Sequence, residues 1–214
     1  LTAVSVDVPA DLSSASFLIL AATIADGAEI TITGVGVNPT RIGVITILNE
    51  MGADISFENR RFFGEEPVAD LVVRSANLRG IDVDPKNVSL AIDEFPVLFI
   101  AAACAEGTTK FSGIGELRVK ESDRIATMAE GLRALNIRIK ETEDGAIVQG
   151  REICGGSVCS HGDHRVAMAF AIAGTVAKSR VTVIDTDNVD TSFPQFVECL
   201  KSLGIEISIS DSSA

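Results

Sequence analysis

Lys120-Glu121-Ser122-Asp123-Arg124 places two cations around a carboxyl group within one short stretch. Ile125, Met128, Leu132 and Leu135 follow at helical spacing and mark a buried stripe, so the spacing predicts a helix over roughly residues 120–135. Lys120 and Arg124, four positions apart, would share a face at its opening. Glu121 stands four before Ile125, at the start of the apolar stripe, where a shielded carboxyl tends to keep its proton near neutral pH. Such a set suits binding an acidic substrate and moving a proton within it. From spacing alone the plainer reading is a solvated first turn laced with ion pairs.

Two other stretches carry chemistry of the same kind. Asp93 precedes Glu94-Phe95-Pro96 and an apolar run, the position of a helix N-cap. The same carboxylate could act as a general base toward a hydroxyl that must become a nucleophile, and both roles fit the positive end of a helix dipole. Gly162-Asp163-His164-Arg165 opens another helix. Arg165 in a first turn opposes the local dipole and hints at an anionic ligand, with an exposed arginine as the alternative. Cys154, Cys159, His161 and His164 look superficially like a zinc set, but all four crowd into one glycine-containing stretch, whereas zinc ligand pairs come from two separated arms. No metal is assigned.

The elements that must hold these residues repeat. Each of three passages begins at an acidic residue and enters an apolar helix, then a strand, a second amphipathic helix and another strand. The first starts at Asp11, the second at Asp93 and the third at Asp163. Asp11 and Asp93, Gly27 and Gly107, and Gly52 and Asn136 are each separated by roughly 80 residues, and Asp93 and Asp163 by roughly 70, which indicates a three-fold internal repeat. The first passage predicts strands over 28–33 and 53–57, with Asn38 capping a helix over 39–51 that has proline at its first position. A hydrophilic hairpin-like insert over 58–67 lengthens it. The second predicts strands over 108–112 and 137–140. The third predicts a strand over 180–184, a helix over 193–203 and a strand over 205–209. If the repeat is a pseudo-threefold, the three helix N-termini, with Lys120, Arg124 and Arg165, make one end attractive to anions. Residues 1–214 are expected to form one domain.

Composition narrows the classes. The 214 residues are 46% hydrophobic, with no Trp or Tyr and 10 Phe, ample for a core. A net charge of −12, from 30 acidic against 18 basic residues, disfavours nucleic acid. No run approaches the roughly 18 apolar residues of a membrane span. The four cysteines do not resemble a disulfide scaffold, so a reducing cytoplasm is expected. Leu1 is not an initiating Met, as expected of a piece of a longer chain.

The string Leu117-Arg118-Val119-Lys120-Glu121-Ser122-Asp123-Arg124 resembles the signature of the 5-enolpyruvylshikimate-3-phosphate synthases. Asn38-Pro39-Thr40-Arg41-Ile42-Gly43, Asp93-Glu94-Phe95-Pro96-Val97, Asp163-His164-Arg165-Val166-Ala167-Met168 and Thr191-Ser192-Phe193-Pro194 resemble further motifs of that family, in the right order. The resemblance implies an α/β fold, the enolpyruvyl-transferase "inside-out" domain of three βαβαββ units with pseudo-threefold symmetry around buried helices. It implies the carboxyl-terminal half of a two-domain enzyme that moves the enolpyruvyl group of phosphoenolpyruvate to the 5-hydroxyl of shikimate 3-phosphate and releases phosphate. No metal or organic cofactor is implied. Asp93 matches the base and contacts the shikimate ring; Glu121 and Lys120 match the proton-transfer pair. Arg124 and Arg165 match the arginines that hold phosphoenolpyruvate, and His164 lines the same pocket.

Two positions depart from some members. Thr191 stands where they have lysine and Glu116 where they have asparagine, which resembles the family's second sequence class. The amino-terminal domain, which supplies the other wall of the cleft, is absent from the chain, so the chain alone is expected to be inactive. The alternatives are a sister enzyme acting on UDP-N-acetylglucosamine and a non-catalytic domain binding an acidic metabolite or a protein.

Overall fold

Three helices with no polar face make the centre. In the computed structural model, which describes residues 3 and 5–210, these are α1 (Leu12–Ile24), α3 (Phe95–Cys104) and α5 (His164–Ala173). Every residue of α3 except Cys104 is buried, as a helix that is apolar all round must be. All three pack against one another. The amphipathic helices α2 (Gly43–Glu50) and α4 (Arg124–Ala134) add a second tier.

The sheets lie outside the helices and repeat one plan. Strands β1 (Glu29–Gly36), β2 (Asp54–Phe63) and β3 (Glu66–Arg74) form an antiparallel sheet in the order β1-β3-β2. Strands β4 (Thr108–Phe111), β5 (Arg138–Glu141) and β6 (Ala146–Gln149) repeat it as β4-β6-β5. Parallel bridges Ala10↔Val35 and Asp82↔Lys110 bring a segment ahead of α1 and of α3 alongside β1 and β4 respectively. In the third unit β7 (Gly156–Cys159) pairs parallel with β8 (Val181–Ile184) in the same sense. The fold is α/β, and its repeating unit is βαβαββ.

The insert over 58–67 is the distal part of the long β2–β3 hairpin. Asp70 anchors its irregular register: side-chain hydrogen bonds from Asn59 and Arg61 and the Gly34 N–H hold its carboxyl down to about 2.

The third unit departs from expectation. The predicted helix over 193–203 is two pieces, α6 (Val189–Ser192) and α7 (Phe196–Ser202), broken where Gln195 turns left-handed at φ 68°. Residues 205–209, predicted as a strand, pair with nothing among the described residues. In the first two units a central strand, β3 or β6, lies between the outer two. Among the described residues no such strand stands between β8 and 205–209, so that segment has no ladder to join. An open groove remains there, with Val181, Val183, Ile205 and Ile207 at its sides and Ala21 and Ala171 among its lining residues.

Among the described residues no helix is long and apolar enough to cross a membrane. All four cysteines are free.

Candidate functional site

The loop before α4 differs from the predicted helix, and the difference matters. Residues Gly115–Val119 form a 3-10 turn, and α4 starts only at Arg124, capped by Asp123, whose carboxylate accepts from the Ala126 N–H at 3.0 Å. Lys120 and Glu121 therefore precede the helix rather than lying on its face. A capping aspartate stops the helix there, because its side chain takes the place of a preceding turn. Freed from the helix, Lys120 reaches Asp93 at 3.5 Å and Glu116 at 2.7 Å. The Glu116 carboxylate foremost, with Asp93, pushes the Lys120 pKa above its usual value, so it remains a cation.

Arg124 is the centre of the cluster, 1% exposed. Its Nε donates to Asp163 Oδ2 at 2.8 Å and its Nη2 to Glu121 Oε2 at 2.5 Å. Nη1 lies 3.9 Å from Asp93 Oδ1 and is buried without a hydrogen-bond partner among the described residues. Asp163, fully buried, does two jobs, since it also caps α5 by accepting from the Arg165 and Val166 N–H groups. Arg165 leaves the first turn of α5, and its Nη1 donates to the Asp93 carbonyl at 3.3 Å. Burial foremost, then the Arg165 cation, lowers the His164 pKa, so its imidazole is neutral near pH 7.

Two expectations are corrected. Asp93 is not an N-cap: it sits in the 3-10 turn Ile92–Glu94, with no capping side-chain bond at α3. Glu121 is not the shielded carboxyl, because it lies ahead of the apolar stripe, 49% exposed and paired with Arg124. The shielded carboxyl is its counterpart Glu94, 2% exposed, whose pKa burial raises. Ser13 Oγ, from the first turn of α1, donates to Glu94 at 2.5 Å, and Arg41 Nη2 stands 3.6 Å from the same carboxylate. Sequence reasoning gave Ser13, Arg41 and Glu94 no individual role. The signal available was the repeat itself, which predicts that the starts of α1, α3 and α5 meet. They do, at Ser13, Asp93–Glu94 and Arg165.

Cys154, Cys159, His161 and His164 do not converge: among the described residues no three metal-ligating side chains gather, and His161 instead meets Glu130 at 3.2 Å.

The arrangement can hold an anion against several cations beside a carboxylate able to accept a proton, which is the chemistry of an acyl- or enol-type transfer to a hydroxyl. The family model for EPSP synthase (3-phosphoshikimate 1-carboxyvinyltransferase) matches residues 1–200. The chain belongs to this family. The EPSP synthase family member from Acidithiobacillus ferrooxidans, 3-phosphoshikimate 1-carboxyvinyltransferase, is 55% identical over 96% of the chain and 47% of its own length. The Halorhodospira halophila enzyme of the same name is 57% identical over 95% of the chain and 46% of its own. A solved EPSP synthase from Acinetobacter baumannii superposes with a TM-score of 0.94 at 48% identity, over 96% of this chain and 48% of that one. An enolpyruvyl transferase from Streptomyces tendae, 20% identical with a TM-score of 0.72, shares the fold. The chain thus spans about half the length of the EPSP synthases it matches.

Proposed function

We propose that this chain is one domain, the carboxyl-terminal half of an enzyme that transfers the enolpyruvyl group of phosphoenolpyruvate to the 5-hydroxyl of shikimate 3-phosphate. One observation carries the reading: Asp93 is surrounded by Lys120, Arg124 and Arg41 within 4 Å, contributed by two different repeats, while Arg165 of the third holds its backbone.

In this reading Asp93 accepts the hydroxyl proton as the oxygen bonds to C2 of phosphoenolpyruvate. The Lys120–Glu121 pair delivers a proton to the methylene carbon, giving a tetrahedral adduct. Loss of a proton from the new methyl group then expels phosphate from C2 and restores the double bond. Arg124 and Arg165 hold the carboxylate and phosphate, a task suited to a planar fork of donors. The Nη1 of Arg124, without a hydrogen-bond partner among the described residues, supports this role. His164, kept neutral, lines the same pocket. The family resemblance implies no cofactor and an amino-terminal domain of the same polypeptide as the partner that closes the site, and the four free cysteines suit a reducing cytoplasm.

The test mixes the chain with a matching amino-terminal half and follows phosphate release from both substrates. The chain alone should release none and the mixture should be active, with Asp93→Ala in the mixture losing on the order of 100-fold or more in kcat. Turnover by the chain alone, or an unimpaired Asp93→Ala mixture, contradicts the reading.

A further inference from the structure

The string Asn38-Pro39-Thr40-Arg41-Ile42-Gly43 is given no step in the reaction above, although its Arg41 stands beside Asp93, and the structure shows what it builds. It joins β1 to α2, but it is a tight turn rather than the helix start its Asn-Pro pair suggests. Asn38 Oδ1 accepts from the Thr40 N–H at 3.0 Å and from the Thr40 hydroxyl at 2.8 Å, and the Arg41 N–H returns to the Asn38 carbonyl at 2.8 Å. At the far end the Gly43 N–H donates to the Leu90 carbonyl at 3.1 Å. A Cβ at residue 43 would sit 2.6 Å from the Leu90 carbonyl carbon, so only glycine permits this approach. Leu90 lies three residues before Asp93. The turn is therefore clamped against the very segment that carries Asp93.

What the clamp presents is Arg41. Its Nη1 stands 3.9 Å from Asp93 Oδ2, while Lys120 and Arg124 both approach Oδ1. Its Nη2 donates to Ser13 Oγ at 3.1 Å and lies 3.6 Å from Glu94. Ser13 and Glu94 are themselves buried and bonded to each other. A guanidinium braced by two buried groups from two repeats is held in place rather than swinging in solvent, although half of its side chain is exposed.

We propose that Arg41 is a positioning residue of the enolpyruvyl-transfer site, acting through Asp93. It fixes the orientation of the carboxylate from the side that Lys120 and Arg124 leave open, so that one oxygen faces the substrate hydroxyl. Ser13 and Glu94 hold Arg41 in that pose. The role needs a planar fork: three partners in three directions cannot be met by one ammonium. This rests on the function proposed above, and the experiment separates the two.

The experiment uses the full-length polypeptide that contains this chain and compares Arg41→Gln and Arg41→Lys, each alone and combined with Asp93→Asn. Phosphate release gives kcat and KM for both substrates, and thermal transitions verify folding. Arg41→Gln should lower kcat roughly 100-fold with little change in KM, the scale expected when a reacting group is displaced by about 1 Å. Arg41→Lys should restore little of it. With Asp93→Asn already present, Arg41→Gln should lower the residual rate less than about 3-fold, because the group it positions is gone. Equal losses in both backgrounds, a loss below about 3-fold in the unmodified enzyme, or full rescue by lysine overturns the assignment. Failure of the unmodified full-length polypeptide to release phosphate overturns the proposed function and the assignment with it.

Discussion

Removing the charge of Asp163 while keeping its shape, as Asp163→Asn, isolates the energy of the buried Arg124–Asp163 pair. Asparagine retains an oxygen for the Arg165 and Val166 N–H groups, so the cap of α5 survives. What disappears is the anion 2.8 Å from Arg124 Nε, in a pair whose members are 1% and 0% exposed. Breaking a buried pair from one side costs about 3–5 kcal/mol, since the other charge is stranded. Glu121, at 2.5 Å from Nη2, remains as a half-exposed partner and brings the expected loss to the lower end, about 3 kcal/mol. For a chain of this length that corresponds to a fall in Tm of roughly 6–12 °C. The chain has no Trp or Tyr, so unfolding in urea is followed by far-ultraviolet circular dichroism. Asp163→Ala should lose about 1 kcal/mol more, because the cap goes too. Adding Arg124→Met to Asp163→Asn should recover part of the loss by removing the stranded cation. A loss below about 0.5 kcal/mol for Asp163→Asn, or strictly additive single and double variants, would show that the pair is not energetically coupled and refute the reasoning.

Gly131 in α4 has its missing Cβ aimed at Phe170 of α5, 2.3 Å from Cζ. Gly131→Ala should therefore destabilise by about 1–2 kcal/mol in urea melts, overpacking outweighing the usual helical gain of alanine over glycine. Glu94 gives a pH signature. Its folded pKa lies above the ordinary 4.5, chiefly through burial, so its favourable contribution is complete below 4.5 and lost as pH rises through the raised value. Glu94→Gln should remove that slope, so the difference in Tm between variant and parent should change between pH 4 and pH 7; parallel Tm curves would contradict it.

The fold was legible where periodicity is local. The apolar helices, β1, β4 and β8 follow from runs of the right length, and the constant offsets between Asp11, Asp93 and Asp163 disclosed the repeat. β6 and β7 were missed because glycines flank or open Ala146–Gln149 and Gly156–Cys159, and such punctuation reads as loop rather than strand. The strand at 205–209 was over-read for the opposite reason: its alternation is good, but a strand needs a neighbour. At the site, residue types and strings located Asp93, Lys120, Arg124 and Arg165. The spacing argument mislocated the start of α4, because it counted the apolar stripe and not the cap at Asp123. Glu94 was hidden because a carboxylate just ahead of Phe95-Pro96 reads as a solvated helix start, and only packing against Ser13 from α1 reveals that it is buried.

The gap in the third sheet has a practical consequence. Among the described residues no strand pairs with the side of β8 away from β7, where Val181 and Val183 alternate and can cover whatever lies down beside them. Such a border recruits extended backbone indiscriminately, including that of a neighbouring copy. Protein concentration is therefore a variable to be held fixed in every measurement made on this chain by itself.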